Sequence, residues 1–464
     1  MFLERVYDDG LAQAGYFVGC QATGEAVVVD PRRDVGVYLR LAGRSGMRIS
    51  AVTETHIHAD YLSGSRELAA ATGAALHLSG EGGADGAYGF PSEGLRDGDE
   101  VRIGNVTLRA VHTPGHTPEH LSFAVVDGAR SPEPAMLLTG DFVFVGDLGR
   151  PDLLDEAAGG EGTRFAGARD TFRSLRERFL ALPDHVQVWP GHGAGSACGK
   201  ALGAVPTTTV GYERRFSWWA PYLERDDEEG FVAALLEGQP DAPAYFARMK
   251  RQNREGPALL GDRPALGRLG AGEARRRTES GGVVLLDTRD AASFRAGAVP
   301  GSLHVPAGRS FAERAAWVVD PERDPPVVLW AEDGHEAEGL RSLLSRVGID
   351  DVAGYVTGLD GLETARVVRA DDSRAIEDAF VLDVRSKAEH ASGSVPGAVR
   401  IPGGGVRRRM GEIPADRPVV VYCQSGARSA VVASLLRAHG RRNVAELEGG
   451  FPAWAEARKT AAVR

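Results

Sequence analysis

Cysteine is scarce in this sequence. Of 464 residues only three are cysteine, Cys20, Cys198 and Cys423, and no two of them form a C-x-x-C pair. This number and spacing predict neither a disulfide framework nor a zinc site built from cysteines. Any cysteine that functions here is therefore expected to act as a thiolate.

Long apolar runs and clusters of one charge sign are also missing. No stretch reaches the ~18 apolar residues of a membrane span, and the amino terminus lacks the pattern of a secretory signal. The formal net charge of −10 is spread along the chain, with arginines interleaved among acids, which argues against nucleic-acid binding or a polybasic membrane patch. We expect a cytoplasmic homo-oligomer with small-molecule partners, no nucleic acid and no membrane contact.

An internal repeat fills the second half of the sequence. The segment VLLDTRDAASFRAGAVPGSLHVP, from Val284, aligns without gaps with a segment from Phe380 that contains VLDVRSKAEHASGSVPGAVRIP. Each copy alternates short apolar strands with helical segments, which is typical of a doubly wound parallel α/β sheet. Since the length fits about three domains, we predict domains at 1–255, 268–366 and 375–464.

Residues 1–255 differ from both copies. The segments EAVVVD, ISAVTETH, ALHLS and LSFAVV predict strands, AMLLTGDFVFV and HVQVWPGHG predict strands that run into loops, and VRIGNVTLRAV predicts a hairpin turning at Gly104 and Asn105. The segment TRFAGARDTFRSLRERFLAL predicts an amphipathic helix. Its apolar face is expected to contain Phe165, Phe172, Leu175, Phe179 and Leu182.

Histidine and aspartate residues follow several of these predicted strands. They are His56 and His58 in THIHADY, His116 in HTPGHTPEH, Asp141 in LLTGD and His192 in VWPGHG. A single histidine of this kind is most simply a hydrogen-bonded core or surface residue. Side chains at the ends of neighbouring strands, however, converge at one edge of a sheet. The combination therefore favours a metal site.

These motifs resemble the metallo-β-lactamase superfamily, whose pattern is H-x-H-x-D-H followed by a His, an Asp and a His. The resemblance covers about residues 1–255 and implies an αββα sandwich. Glyoxalase II-like members hold two metals, the second partly through the D-H pair. In this sequence Tyr61 follows Asp60, and a phenol with a pKa near ~10 is a poor ligand at neutral pH. We therefore predict one metal rather than two.

The segments THIHAD, HTPGHT and TGD are similar to the persulfide dioxygenase branch, which binds a single ferrous ion. This resemblance implies one Fe²⁺ per chain held by His56, His116 and Asp141. Two imidazoles and one carboxylate form the facial triad of non-haem iron oxygenases, with positions left for O₂ and a substrate sulfur. Four further residues are candidates to orient the ligands or the substrate: His58, Asp60, Tyr61 and His192.

Substrate binding has four weaker candidates: Arg150, Cys198, Tyr212 and Arg214. Arg150 could grip a carboxylate of a thiol substrate, or it could form an ordinary salt bridge. Cys198 follows His192 in a glycine-rich loop and either faces the metal pocket or is a small buried residue. For Tyr212 and Arg214, packing or a surface position is the alternative.

The second copy contains VVVYCQSGARSAVVASLL, in which a strand ends at Cys423 and a helix begins near Ser429. Backbone N–H groups of the loop, the helix dipole and Arg428 are expected to stabilise a thiolate. With LEGGFPAW, this segment resembles the rhodanese family over about residues 376–464, which implies a persulfide carried on Cys423. The C-x4-R spacing favours sulfur transfer over the phosphatases, which use C-x5-R.

The first copy lacks these groups in its equivalent loop, WAEDGHEAEGL. Ala331 occupies the position of the nucleophile and Glu336 that of the arginine. We therefore predict an inactive rhodanese-like domain that acts as a spacer or a docking surface.

The three-part architecture resembles the persulfide dioxygenase–rhodanese fusion proteins. That resemblance implies a sulfur dioxygenase that oxidises a low-molecular-weight thiol persulfide with O₂ to sulfite, coupled to thiosulfate sulfurtransferase activity in sulfide detoxification. A zinc-dependent thioester hydrolase of the glyoxalase II kind fused to a sulfurtransferase is the alternative. A degenerate amino-terminal binding module attached to a sulfurtransferase is a third hypothesis.

Overall fold

The computed structural model describes residues 1–83, 86–153, 155 and 162–462. The chain divides into two compact units, the first Met1–Ala242 with Phe246–Asp262 and the second Pro243–Tyr245 with Arg263–Arg464. The three domain boundaries given above stay predictions. Among the described residues, no helix has both the length and the apolar character needed to cross a membrane.

The first unit contains two six-stranded sheets. One sheet consists, in spatial order, of β1 (Phe2–Asp8), β2 (Gln13–Cys20), β3 (Glu25–Val29), β4 (Arg48–Thr53), β5 (Ala75–Ser79) and β6 (Glu93–Leu95). The other consists of β7 (Glu100–Ile103), β8 (Val106–His112), β9 (Leu121–Asp127), β10 (Met136–Gly140), β11 (Gln187–Pro190) and β12 (Thr208–Thr209). The predicted strands are confirmed, and the β7–β8 hairpin turns between Ile103 and Val106 as expected.

Helices cover the outer faces of both sheets. In chain order they are α1 (Gly36–Ser45), α2 (Ser65–Thr72), α3 (Thr163–Ser174), α4 (Val210–Phe216), α5 (Ala220–Glu224), α6 (Glu228–Leu236) and α7 (Phe246–Glu255). The side chains of β2 alternate between two apolar cores. Tyr16 and Val18 belong to the core between the two sheets, whereas Phe17 belongs to the core between this sheet and the helices α1 and α2. Successive strand side chains point to opposite faces, so both faces of this sheet are apolar and the αββα sandwich is confirmed.

The predicted amphipathic helix is only partly correct. Regular α-helix stops at Ser174, and a π-helical turn over Leu175–Phe179 follows. Phe172, Leu175 and Phe179 are buried as expected, but Phe165 is 44% exposed. Phe165 lies in the first turn, where the Arg164 guanidinium covers its ring. The prediction was wrong for Phe165, which lies at the start of the helix before the change of period, and Leu182 lies beyond the π-helical turn.

The second unit contains two parallel sheets. The first copy holds β13 (Val284–Asp287), β14 (Leu303–His304), β15 (Val327–Trp330) and β16 (Val352–Val356) in the order β14-β13-β15-β16. The second holds β17 (Val367–Val368), β18 (Phe380–Asp383), β19 (Val399–Arg400), β20 (Val419–Tyr422) and β21 (Val444–Leu447) in the order β17-β21-β20-β18-β19. All the pairings between these nine strands are parallel, as the repeat predicted.

The helices of the second unit connect these strands. They are α8 (Ala271–Glu279), α9 (Ala291–Ala296), α10 (Phe311–Val318), α11 (Gly334–Ser345), α12 (Ser373–Glu377), α13 (Lys387–Ala391), α14 (Ala427–Ala438) and α15 (Gly450–Ala462), with 3-10 turns at Gly403–Gly405 and Met410–Glu412. Strands that alternate with helices on a parallel sheet define the doubly wound class. The predicted fold class is thus confirmed for both units.

One buried ion pair explains part of the repeat. In the first copy Arg289 binds both carboxylate oxygens of Asp287 and the carbonyl of Gly297. In the second copy Arg385 makes the same contacts with Asp383 and Gly393. Since neither aspartate side chain is exposed, the paired arginine is required to offset its desolvation.

Candidate functional site

Three predicted ligands converge at one edge of the first unit. His56 follows β4, His116 follows β8 and Asp141 follows β10. Their ligand atoms all lie within 4.8 Å of one another. Asp141 Oδ2 is 3.9 Å from His56 Nε2 and 3.6 Å from His116 Nε2, so each imidazole presents the same nitrogen to the carboxylate.

Hydrogen bonds on the far side of each ring fix this orientation. His116 Nδ1 donates to the main-chain carbonyl of Arg150 at 2.8 Å. His56 Nδ1 lies 2.9 Å from the Thr55 hydroxyl. A partner on Nδ1 sets the tautomer and leaves Nε2 as the donor atom for a metal.

The protonation states suit a cation. Burial, followed by the charge of Lys250, lowers the pKa of His116 to about 3, and burial lowers that of His56 well below its usual value. Burial also raises the pKa of Asp141 to about 6. Among the described residues, neither carboxylate oxygen of Asp141 has a hydrogen-bond partner. A buried carboxylate in that state is costly unless a cation binds it, and two neutral imidazoles with one carboxylate fit a divalent transition metal.

A second group of potential ligands lies beside the first. Asp60, His192 and Cys198 are all buried and also have their ligand atoms within 4.8 Å of one another. His192 Nε2 is 3.5 Å from Asp60 Oδ2 and 3.5 Å from Asp141 Oδ1. Cys198 therefore lies beside the acids of the pocket, and burial with the charges of Asp141 and Asp60 raises its pKa. The prediction of one metal, based on Tyr61, did not consider this cysteine, and it stays a prediction.

His58 and Tyr61 bind Asp30 rather than Asp141. His58 Nε2 lies 3.1 Å from Asp30 Oδ1. Burial alone would lower the pKa of His58, but the Asp30 carboxylate raises it to about 9. The Tyr61 hydroxyl donates to the Asp30 carbonyl and accepts from Gln13 Nε2. We infer that both residues support the loop that carries His56.

Three supporting residues were missed in the sequence. Asp30 accepts hydrogen bonds from the Thr55 N–H and hydroxyl, next to His56. His120 Nε2 accepts from the Asp141 N–H, and Asn253 on α7 donates to the carbonyls of residues 58 and 61. A polar residue directly after the apolar strand EAVVV was a signal for Asp30, and His120 lies inside HTPGHTPEH. Asn253 gave no signal because its partners are distant in sequence.

The structure gives Arg150, Tyr212 and Arg214 contacts within the protein that match the alternatives stated from the sequence, and their substrate contacts stay predictions. Arg150 has no exposed side-chain surface. Its guanidinium binds both oxygens of Asp152 and the carbonyls of residues 197 and 240. Tyr212 is 52% exposed and its ring packs at a tilt against Phe216. Arg214 binds Asp184 and the carbonyls of residues 180 and 182. A substrate carboxylate could reach the Arg150 guanidinium only by displacing these partners.

Removing the Arg150 guanidinium is expected to destabilise the first unit. Arg150→Met leaves the Asp152 carboxylate largely buried without its partner, which costs about 3–5 kcal/mol. Urea unfolding should show the transition of this unit at a lower midpoint. Arg102→Met is the matched control, since Arg102 is 74% exposed in its pair with Glu100; its effect should stay within about 0.5 kcal/mol. Equal midpoints for the two variants would contradict the structural role of Arg150.

The thiolate loop of the second unit begins where β20 ends. The Gly426 N–H donates to Cys423 Sγ at 3.1 Å, and the Ser429 hydroxyl lies 3.6 Å from the sulfur. α14 starts directly afterwards at Ala427. Burial alone would raise the pKa of Cys423, but these hydrogen bonds, with one from Ser425, lower it overall. The loop thus favours the ionised form of the Cys423 thiol.

Arg428 forms an ion pair with the carboxylate of Glu389 in addition to its interaction with the sulfur of Cys423. Its guanidinium makes two hydrogen bonds, of 2.7 and 2.6 Å, to the Glu389 carboxylate. This contact lowers the pKa of Glu389 to about 2. Arg428 also interacts with the charge on Cys423, but Glu389 compensates much of its positive charge.

A pH profile of Cys423 alkylation tests the stabilised thiolate. Iodoacetamide reacts with the thiolate, and the pKa of Cys423 is lowered. The pH at which the alkylation rate is half-maximal should therefore lie below the ~8.5 of a free cysteine. Ser429→Ala removes one hydrogen bond and should raise that midpoint. The profile is best measured in Cys20→Ser protein, since the Asn105 N–H lowers the pKa of Cys20 to about 7. A wild-type midpoint at or above ~8.5 would contradict the proposed stabilisation.

The corresponding loop of the first copy is closed by its own acids. Asp333 caps α11 by accepting from the Glu336 N–H, and the Glu336 carboxylate accepts from the Glu332 N–H at 2.6 Å. Ala331 is buried at the end of β15. The backbone N–H groups of this loop that could bind an anion thus already donate to carboxylates of the same loop. This agrees with the prediction that the first copy has no sulfurtransferase activity.

Known families match both units. The model of the metallo-beta-lactamase superfamily matches residues 9–192, and that of the rhodanese-like domain matches residues 270–365 and 369–457. The chain belongs to the metallo-beta-lactamase superfamily and carries two rhodanese-like domains after its metallo-beta-lactamase domain, as its motifs and repeat predicted.

Individual relatives agree with this division. A hydroxyacylglutathione hydrolase of Nitrosococcus oceani is 33% identical over 237 residues, which is 51% of this chain and 82% of that protein. A sulfurtransferase of Allochromatium vinosum is 46% identical over 79 residues, 17% of this chain and 74% of that protein. A crystal structure of a metallo-beta-lactamase from Staphylococcus aureus subsp. aureus COL is 36% identical, covering 77% of this chain and 98% of its own, with a TM-score of 0.66.

Proposed function

We propose that the first unit is a persulfide dioxygenase with one Fe²⁺ and that the second unit transfers sulfane sulfur through Cys423, in a cytoplasmic enzyme of sulfide detoxification. The first reaction balances as R-S-SH with O₂ and H₂O giving R-SH and sulfite with two protons. The supporting observation is the buried donor set of two neutral imidazoles and one carboxylate without a hydrogen-bond partner among the described residues.

The chain's own residues prepare this site. His56, His116 and Asp141 would hold the ion, and Fe²⁺ when bound would supply adjacent positions for the persulfide sulfur and O₂. Thr55 and the carbonyl of Arg150 keep the imidazoles directed at one point. Burial of all three ligands limits water in the site, which strengthens electrostatic interactions there.

The second reaction uses the thiolate loop. The Cys423 thiolate attacks the sulfane sulfur of thiosulfate, the S–S bond breaks, and sulfite leaves with the electron pair. The persulfide on Cys423 remains anionic, and the N–H of Gly426 is placed to stabilise it. Sulfite made in the first unit is a substrate for the reverse reaction, so the proposal leaves the net direction of sulfur flux open.

A hydrolase is the second candidate for the first unit. It is favoured by the Asp60, His192 and Cys198 group, which provides donors beside Asp141 for a further cation, and by the relative described as a hydroxyacylglutathione hydrolase. Such an enzyme would cleave a glutathione thioester with water and would need no O₂.

Oxygen consumption separates the two candidates. Protein purified without O₂ is given glutathione persulfide, coenzyme A persulfide or a glutathione thioester in an oxygen electrode, with sulfite and thiosulfate quantified. We expect uptake of one O₂ per persulfide, sulfite as the first product and no thioester cleavage. Thioester cleavage without any O₂ uptake from either persulfide would replace the dioxygenase proposal by the hydrolase.

A further inference from the structure

The two rhodanese-like copies pack against each other within the second unit. The His304 N–H at the end of β14 donates to the Ser434 hydroxyl on α14 at 2.9 Å. Trp317 on α10 lies so close to Gly403 that a Cβ there would be 2.7 Å from its ring. Elements of the first copy therefore contact the helix that follows the Cys423 loop and the turn at residues 403–405.

One arginine of the first copy reaches the thiolate loop itself. Arg295 on α9 donates from Nη2 to the Gly426 carbonyl at 3.2 Å. The same guanidinium binds Glu446 Oε2 through Nη2 at 2.7 Å and through Nε at 3.2 Å. Glu446 on β21 is 1% exposed, so the ion pair anchors Arg295 to the interior of the second copy.

Gly426 is the loop residue that the Arg295 contact affects, and its carbonyl accepts both from Arg295 and from the Ala430 N–H, at 3.2 Å, in the first turn of α14. Its N–H is the donor to Cys423 Sγ, and its φ of 96° lies in the left-handed region, where glycine has the most conformational freedom. With no side chain of its own, Gly426 depends on backbone contacts for its orientation. A hydrogen bond that holds its carbonyl restrains the peptide on one side of the residue while the N–H on the other side faces sulfur.

The pair belongs to the contact between the copies and is not repeated. In the alignment of the repeat, Ala391 takes the position of Arg295, and Gly354 takes the position of Glu446. Each copy therefore supplies one member, and neither copy contains the pair alone. A spacer or a docking surface, as predicted from the sequence, would not require a buried carboxylate beside a catalytic loop.

Charge around Cys423 gives independent support. The Glu389 carboxylate compensates the positive charge of Arg428. The carboxylate of Glu313 on α10 also interacts with the charge of Arg428. Arg314, the next residue of α10, interacts with the charge on Cys423. Helix α10 of the first copy thus places one acid and one arginine in the electrostatic surroundings of the Cys423 loop, where an anionic donor such as thiosulfate must approach.

We propose that the first rhodanese-like copy, which has no nucleophile of its own, is part of the sulfurtransferase site, with Arg295 as a positioning residue that holds Gly426 so that its N–H faces Cys423. This inference rests on the proposed sulfur transfer at Cys423. Under this proposal the first rhodanese-like copy is not a spacer but contributes a residue to the site of the second copy.

Variants of Arg295 test the inference in the full-length protein. Arg295→Ala should raise the midpoint of the Cys423 alkylation profile and lower kcat for thiosulfate:cyanide transfer by at least about tenfold, since a misplaced reacting group costs up to about 10²-fold. Arg295→Lys should recover part of both. Glu446→Gln keeps the volume but removes the charge that anchors Arg295, so it should change both quantities in the same direction.

The control is Arg277→Ala. Arg277 lies on α8 of the same copy in a partly exposed pair with Glu273, and its loss should change neither quantity. An alkylation midpoint and kcat at wild-type values in both Arg295→Ala and Glu446→Gln would overturn the inference. Absence of thiosulfate:cyanide transfer in the wild-type protein would instead contradict the proposed function, so the two failures are distinguishable.

Discussion

Replacing His116 with alanine is expected to abolish metal binding and O₂ uptake together. His116 supplies one of three donor atoms, and the two that remain leave Asp141 with a single imidazole partner in the triad. Removing a group that only orients a metal ligand already costs about 10–100-fold in affinity, so loss of the ligand itself should cost more. Iron content is measured by elemental analysis, and O₂ uptake is followed with glutathione persulfide.

A second histidine of the same unit serves as the control. His77 on β5 pairs with Glu93 and lies outside the group of three ligands. His77→Ala should retain iron and O₂ uptake. If His116→Ala kept the metal content and uptake of the wild-type protein, the first unit would be better described as a binding module attached to a sulfurtransferase.

Replacing Cys423 with serine is expected to abolish sulfur transfer and spare O₂ uptake. A serine hydroxyl is not ionised near neutral pH and cannot carry a persulfide, whereas the loop lowers the pKa of the Cys423 thiol. Thiosulfate:cyanide transfer should fall by more than about 10³-fold, in line with the loss of other catalytic nucleophiles. Oxygen uptake depends on residues of the other unit and should stay at the wild-type level.

The matched control is Cys20→Ser. Cys20 also has a lowered pKa, but it lies in the first unit, where its sulfur accepts from the Asn105 N–H in the β7–β8 turn, so its loss should leave transfer unchanged. Transfer that persists in Cys423→Ser and disappears when Cys198 is also replaced would move the role of sulfur carrier to Cys198.

The strand pattern of the sequence favoured a metal site, and the resemblance to persulfide dioxygenases implied which residues are its ligands. His56, His116 and Asp141 each follow the end of a strand by at most four residues, and strand ends gather at one edge of a sheet. The repeat predicted the second unit for a similar reason, since Asp287 and Asp383 recur with their paired arginines. In both cases a local pattern carried the information.

What the sequence did not predict depends on contacts between distant segments. Asn253 binds the loop of His58 from a helix far along the chain, and Arg295 reaches Gly426 across two copies of a repeat. The interpretation of Arg150 stayed open between a substrate carboxylate and a salt bridge because two of its partners, the carbonyls of residues 197 and 240, are distant in sequence. Only the fold shows that these polar groups satisfy one another.

The number and identity of the metal ions test the central proposal most directly. Protein purified without O₂ and analysed for iron and zinc, alongside His116→Ala and Cys198→Ser, should contain one iron per chain. That iron should be lost in His116→Ala and retained in Cys198→Ser. Two metal ions per chain, with one of them lost in Cys198→Ser, would contradict a mononuclear site and favour the hydrolase. Zinc in place of iron would contradict the iron site and favour the hydrolase as well.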